Sequence, residues 1–156
     1  MKSILLFCSA ILLLISCKKE EQTYYSVYIE NRSTVAVEII PYKSGIIHSD
    51  DRILLSPGAK FQFAEGFDRG INIGGGFDSK YLTGTDSIAV LFNSVKKTIH
   101  FMNNTSTSEN SYYSYNSERN LGNWESYEMD VTDDSKFRRT IIYTYIFSEL
   151  DYNFAQ

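Results

Sequence analysis

The chain is poor in the residues that build cross-linked or reactive proteins: 156 residues include two cysteines, two histidines, two prolines and one tryptophan. Cys8 and Cys17 both precede residue 20, so the rest of the chain has no thiol pair and no disulfide framework. Whatever folds there is held by its core alone. His48 and His100 are accompanied by no thiol and no Gly-x-Ser-x-Gly elbow, so a Ser-His-acid set would have to assemble through space. Lys and Arg are not clustered, and 15 of them face 19 acidic residues, for a net charge of −4. That balance argues against nucleic acid as a partner, because neutralising phosphates takes grouped cations. Ala is scarce and Leu moderate, which lowers the expectation of a helical bundle.

Aromatic residues are abundant instead. Twelve Tyr and ten Phe favour strands over helices.

The first residues have the layout of a secretory signal: basic Lys2, an apolar stretch from Ile4 to Ile15, then Ser16-Cys17-Lys18-Lys19-Glu20-Glu21. A helix of about twelve residues rises only about 18 Å, whereas a bilayer's hydrocarbon core is about 30 Å thick. The segment therefore reads as removable rather than spanning. Leu14-Ile15-Ser16-Cys17 looks like the lipobox of bacterial lipoproteins, which implies a diacylglycerol on Cys17 and cleavage just before it. Each buried methylene contributes about 0.8 kcal/mol, so several acyl chains make an anchor that is hard to reverse. The alternative is an ordinary secreted protein with a cysteine near its cleavage site. Lys18 departs from the Asp that retains some proteobacterial lipoproteins in the inner membrane, which favours the outer membrane. Lys18-Lys19-Glu20-Glu21 also resembles the short charged export signal of surface lipoproteins of Bacteroidota, although a solvated tether accounts for the same residues.

The expected organisation is a signal peptide over 1–16, a lipidated tether over 17–23 and a single domain over 24–156. Loss of residues 1–16 leaves 140 residues and removes one cation, Lys2, for a mature charge of −5. That length suffices for one proper core. About six residues join Cys17 to the first strand, a reach of roughly 20 Å, so the domain works close to its membrane.

Period-two alternation marks the strands. In Tyr24 to Glu30, Tyr25, Val27 and Ile29 share one face. Asn31-Arg32-Ser33 then turns into Thr34 to Tyr42, with Val35, Val37 and Ile39 inward, and the two strands read as a hairpin. Ser56-Pro57-Gly58 is a turn feeding Ala59 to Glu65, with Phe61 and Phe63 on one side. A strand from Asp86 to Phe92 puts Ile88, Val90 and Phe92 inside; Asn93-Ser94 links it to Lys96 to Phe101, where Ile99 and Phe101 are expected inward and His100 in solvent. Residues 103–120, polar and short of aliphatics, predict a mobile loop. Trp124 to Met129 and Lys136 to Phe147 resume strand character, the latter with Phe137, Ile141, Tyr143, Tyr145 and Phe147 inward. Ser148 and Asp151 have capping-box spacing, so a short helical turn closes the chain. Seven to nine short strands without long amphipathic helices predict an all-β fold, an antiparallel sandwich, immunoglobulin-like or similar, with a barrel as the alternative.

The lipobox, the early N-R-S turn, the S-P-G turn, the D-S-I strand start and the closing Y-T-Y-I-F-S-E-L-D-Y-N-F-A together resemble small β-sandwich lipoproteins of Bacteroidota. The resemblance implies a fold and a compartment, and brings no catalytic residues.

Gly70 to Gly76 could suggest a phosphate cradle, but no Lys-Ser or Lys-Thr follows and no helix begins there, so a flexible loop is expected. Asp130, Asp133 and Asp134, or Asp50 and Asp51, lack the spacing of a calcium loop and read as acidic turns. No metal or other cofactor is implied. Glu125 and Glu128 fall on opposite strand faces, a poor acid/base pair for sugar hydrolysis. Tyr112, Tyr113 and Tyr115, with Trp124, form the best contact surface, against the alternative that Trp124 is core. Asp86-Ser87-Ile88 resembles the O-glycosylation acceptor of Bacteroidota, with Ser87 the modified residue, unless it simply opens a strand.

The leading expectation is a non-enzymatic binding or accessory module, anchored to the outer membrane by lipid on Cys17, with an envelope protein or a glycan as partner. The alternatives are a surface hydrolase acting on glycan or peptide, with His48 or His100 near carboxylates, and a structural, self-assembling envelope subunit that packs onto a like molecule through an exposed strand edge or aromatic face.

Overall fold

A computed structural model describes residues 21–69, 79, 81–103 and 111–156. The lipobox with Cys17, and the Gly70 to Gly76 segment, lie outside the described residues. Those described form ten strands: β1 (Gln22–Asn31), β2 (Val37–Lys43), β3 (Ile46–Ile47), β4 (Ile53–Leu55), β5 (Lys60–Arg69), β6 (Ser87–Phe92), β7 (Lys96–Phe101), β8 (Tyr112–Tyr113), β9 (Glu128–Ser135) and β10 (Arg138–Phe147). Helix α1 (Glu149–Phe154) follows β10.

Two sheets face each other, one in the order β5-β1-β10-β9 and one in the order β3-β2-β6-β7-β8, with β4 also paired to β2. The fold is thus an all-β sandwich rather than a barrel. It is not wholly antiparallel. β1 and β10 run parallel at the centre of the four-stranded sheet, from Gln22 beside Arg138 to Asn31 beside Phe147, and β8 runs parallel to β7. Parallel neighbours need a long crossover, and more than a hundred residues intervene between β1 and β10.

The alternation in β1 holds: Tyr25, Val27 and Ile29 are buried, and so are Val37, Ile39, Ile88, Val90 and Phe92 across the gap. Each fully buried side chain of this kind contributes about 1.5–3 kcal/mol. From β10, Ile141, Tyr143, Tyr145 and Phe147 join them, whereas Phe137 falls at the tip of the β9–β10 hairpin and is exposed.

β1 and β2 do not form the expected hairpin, because they belong to different sheets. A two-residue hairpin loop needs residues at positive φ, and Asn31, Arg32 and Ser33 all lack it. Asn31, fully buried, makes a corner instead. Its side-chain amide donates to the Val35 carbonyl at 2.8 Å and the Leu55 carbonyl at 3.0 Å, and its Oδ1 accepts from the Ser33 N–H and hydroxyl at 3.0 and 2.7 Å. Paired left-handed residues do occur at two hairpins, at Ser44-Gly45 after β2 and at Asn93-Ser94 after β6.

β7 is reversed relative to expectation. Residues opposed in an antiparallel ladder share a face, and Ile88 opposes His100 while Val90 opposes Thr98. His100 and Thr98 therefore point into the core, and both are buried. Ile99 instead joins a row of Ile40, Ala89 and Tyr112 on the face of the sheet turned away from that core, where Ile40 and Ala89 are nevertheless buried.

Two further segments differ. Trp124–Ser126 is a 3-10 turn, so the strand begins only at Glu128 and Glu125 is not part of it. Asp130, Asp133 and Asp134 lie in β9 rather than in an acidic turn, and Asp133 and Asp134 face Arg138 and Arg139 at 3.9 Å each. Asp50 and Asp51 do sit in a turn, where Asp51 meets Lys43 at 3.5 Å. Ser87 opens β6, with its hydroxyl 3.4 Å from Asp86.

Candidate functional site

The described part of the polar segment from Ser111 onward is fixed by a buried polar network rather than by aliphatic packing. Asn120 is fully buried, and its amide nitrogen lies 2.9 Å from the carbonyls of Phe101, Tyr113 and Ser114 while its Oδ1 accepts from the Gly122 N–H at 2.7 Å. One side chain thus ties both ends of the loop to β7. Two tyrosine hydroxyls tie down its middle: Tyr145 donates to the Arg119 carbonyl at 2.7 Å and Tyr127 to the Leu121 carbonyl at 2.8 Å. Burial pushes both phenols well above their ordinary pKa, so they stay protonated and donate.

Asp151 joins α1 to this loop. It is 1% exposed, yet every donor it needs is present. Arg119 engages both carboxylate oxygens, Tyr113 donates from its hydroxyl at 3.3 Å, and the Ser148 N–H and hydroxyl donate at 2.8 and 3.0 Å, completing the expected cap. Arg119 also donates to the Ile146 carbonyl at 2.8 Å and lies over the Tyr145 ring.

On this rigid base a short turn carries the exposed aromatic surface. Asn123 accepts from the Glu125 N–H at 3.1 Å and donates to the Ser117 carbonyl at 3.1 Å, starting the 3-10 turn at Trp124. Trp124 is 54% exposed and Tyr115 44%. Together with Asn116, Gly122, Asn123 and Glu125 they line an open cleft of about 340 Å³. A Cβ at Gly122 would come within 2.6 Å of Met102 Sδ, so a larger residue there would displace the end of the methionine side chain.

The four aromatic residues singled out from the sequence therefore separate. Tyr115 and Trp124 meet in the cleft. Tyr112 lies on the outer face of the six-stranded sheet, with its ring edge-on to Phe101. Tyr113 is structural: half-buried, stacked on Phe154 at 4.7 Å and bonded to Asp151, its phenol is pushed up to about 12 chiefly by burial and then by the charge of Asp151. Asn116, Asn123 and Glu125 were not singled out for the cleft, and the only local signal for them is proximity to the lone tryptophan.

The two histidines lie in opposite environments. His100 is fully buried, its Nδ1 accepts from the Leu121 N–H at 3.0 Å, and burial drives its pKa down to about 3 against a smaller opposing effect of Asp151. It is a neutral core residue, packed 4.9 Å from the Tyr113 ring. His48 is exposed and precedes the turn of Asp50 and Asp51. Among the described residues, no group of three or more His, Cys, Asp or Glu could hold a metal ion, and no helix is long and apolar enough to cross a membrane.

Comparison with protein-family models, curated proteins and solved structures gives no match.

The cleft has a definite position on the sandwich. Gln22, at the start of β1, pairs with Arg138 at the start of β10, whereas Glu128, four residues after Trp124, pairs with Thr144. Six residues of strand separate Arg138 from Thr144, about 20 Å at 3.3 Å per residue. The strand next to the cleft thus begins at the end of the sheet remote from the entry of the chain into β1.

Proposed function

We propose that this chain is a lipid-anchored binding module of the bacterial outer envelope, held by Cys17 and engaging its partner through the Trp124–Tyr115 cleft. The anchor rests on Leu14-Ile15-Ser16-Cys17 and on the resemblance to small β-sandwich lipoproteins of Bacteroidota. Five residue steps lead from Cys17 to Gln22, at most about 18 Å, so the lipid stays near the β9–β10 hairpin and the cleft points away from it. The observation that carries the binding role is a large aromatic pair left in water on a loop whose backbone is locked from beneath. Exposed aromatics on a preorganised support bind without having to order a loop. A hydrolase built around His100 has no support in this geometry, because the imidazole is sealed and neutral.

Mass spectrometry of the protein from cells, and fractionation of a Cys17→Ala variant, test the anchor. An acylated Cys17 at the new N-terminus and release of the variant from membranes are expected. An unmodified thiol or an intact leader overturns it. Photocrosslinking from position 124 and, separately, from the exposed position 137 at the β9–β10 hairpin tests the binding end: capture of a partner from 124 is expected, and capture from 137 alone overturns it.

A further inference from the structure

We infer that the cleft between Tyr115 and Trp124 takes a neutral carbohydrate, an inference that rests on the cleft being the binding end of the module. A sugar ring offers an apolar C–H face and a rim of hydroxyls, and recognising it takes a flat aromatic surface bordered by groups that both donate and accept. Trp124 and Tyr115 supply the surface. The rim is supplied by the Asn116 amide, the Glu125 carboxylate, the Tyr115 hydroxyl and the Trp124 indole N–H, none of which is engaged by another described residue.

The same lining argues against other ligand classes. It contains one carboxylate and no Lys or Arg, so a phosphate, sulfate or carboxylate would meet repulsion with no cation to bind it. A purely apolar ligand would strip water from two asparagines and a glutamate without replacing it. A protein partner needs roughly 800 Å² on each side and an apolar centre, whereas this is an open cleft of about 340 Å³, near the lower end of small-ligand sites. Its floor is set by the Asn120 and Asn123 amides, so the aromatic surface is presented in one arrangement.

Trp124 is the sole tryptophan of the chain, so indole fluorescence reports on this cleft alone. The full-length protein in mild detergent is titrated with neutral gluco-, xylo-, manno- and chito-oligosaccharides, with polygalacturonate oligomers as the anionic control. At least one neutral series is expected to shift the emission to the blue and protect it from acrylamide quenching, while the anionic series does neither. Capture on the same glycan, immobilised, should weaken about tenfold or more in Trp124→Ala, with far-UV dichroism unchanged, and less in Trp124→Phe. Absence of any response to neutral sugars, or full capture by Trp124→Ala, overturns the inference. Protection by a purified envelope protein but by no sugar overturns the carbohydrate assignment and leaves the binding module standing. No protection by either class removes both.

Discussion

Arg119 in the loop before β9 and Asp151 in α1 are thirty-two positions apart, and the guanidinium engages both oxygens of a carboxylate that solvent barely reaches. Burial works against the charge on Arg119, but the hydrogen bonds and charge of Asp151, with the neighbouring tyrosines, outweigh it and raise its pKa. The pair closes the far end of the sandwich by joining loop, β10 and helix. Asp151→Ala would leave Arg119, Tyr113 and Ser148 without their acceptor. A loss of about 1.5–3 kcal/mol in urea unfolding is expected, the range for hydrogen bonds to a charged group, because Arg119 is 39% exposed and can turn to water. A loss below about 1 kcal/mol would mean that this network is not what holds the loop.

His100 makes stability depend on pH in a stated direction. Its pKa lies near 6.5 when unfolded and at about 3 when folded, so the unfolded chain takes up the proton first as pH falls. The stabilisation is complete above about pH 6.5 and drains away between there and about pH 3. Between pH 7 and pH 5 the loss should be about 2 kcal/mol. His100→Asn keeps an acceptor for the Leu121 N–H but cannot ionise, so its pH slope over that interval should be shallower. Equal slopes would place the titrating group elsewhere.

Tyr25 crosses over Gly66, its direct partner between β1 and β5, so closely that a Cβ at Gly66 would sit 2.5 Å from the phenol oxygen and 2.6 Å from Cζ. Gly66→Ala should cost about 1–3 kcal/mol, the usual range for overpacking. Thermal unfolding of Gly66→Ala, alone and with Tyr25→Val, checks this. The second change should recover part of the loss, and no recovery would mean that the tyrosine ring is not the obstacle.

β9 is an edge strand, and nearly all of it is exposed. Glu128, Asp130, Asp133 and Asp134 spread acidic charge along it. Charges of one sign on a free edge repel a like edge from another molecule. Replacing Asp130 and Asp133 with Thr should shift size-exclusion chromatography toward larger species than the parent chain forms at the same concentration. An unchanged profile would show that these charges do not guard the edge.

Strand periodicity was legible wherever one face is uniformly apolar, as in β1 with Val27 and Ile29 and in β6 with Ile88, Val90 and Phe92. It failed in β7, where the apolar residues Ile99 and Phe101 lie on the face turned away from the core and the register against β6 turns the polar Thr98 and His100 inward. The corner at Asn31 has the sequence of a hairpin turn, and a turn signal does not say which sheet the chain enters next. Within the candidate site, Tyr115 and Trp124 could be picked out by residue type. That they meet, and that Tyr113 instead braces Asp151, follows from contacts made across 38 positions or from the path of a folded loop.

Local chemistry alone determined that this chain is built from short strands, that it has no disulfide after Cys17, and that Ser148 and Asp151 cap a closing helix, because alternation, composition and capping act over a few residues. Only the tertiary structure decided that β1 lies parallel to β10, that an aspartate and a histidine are core residues, and that the aromatic cleft stands at the end remote from Gln22. Each of those depends on which distant strands meet and in what register. That choice is made by the burial of the whole core rather than by any segment of it.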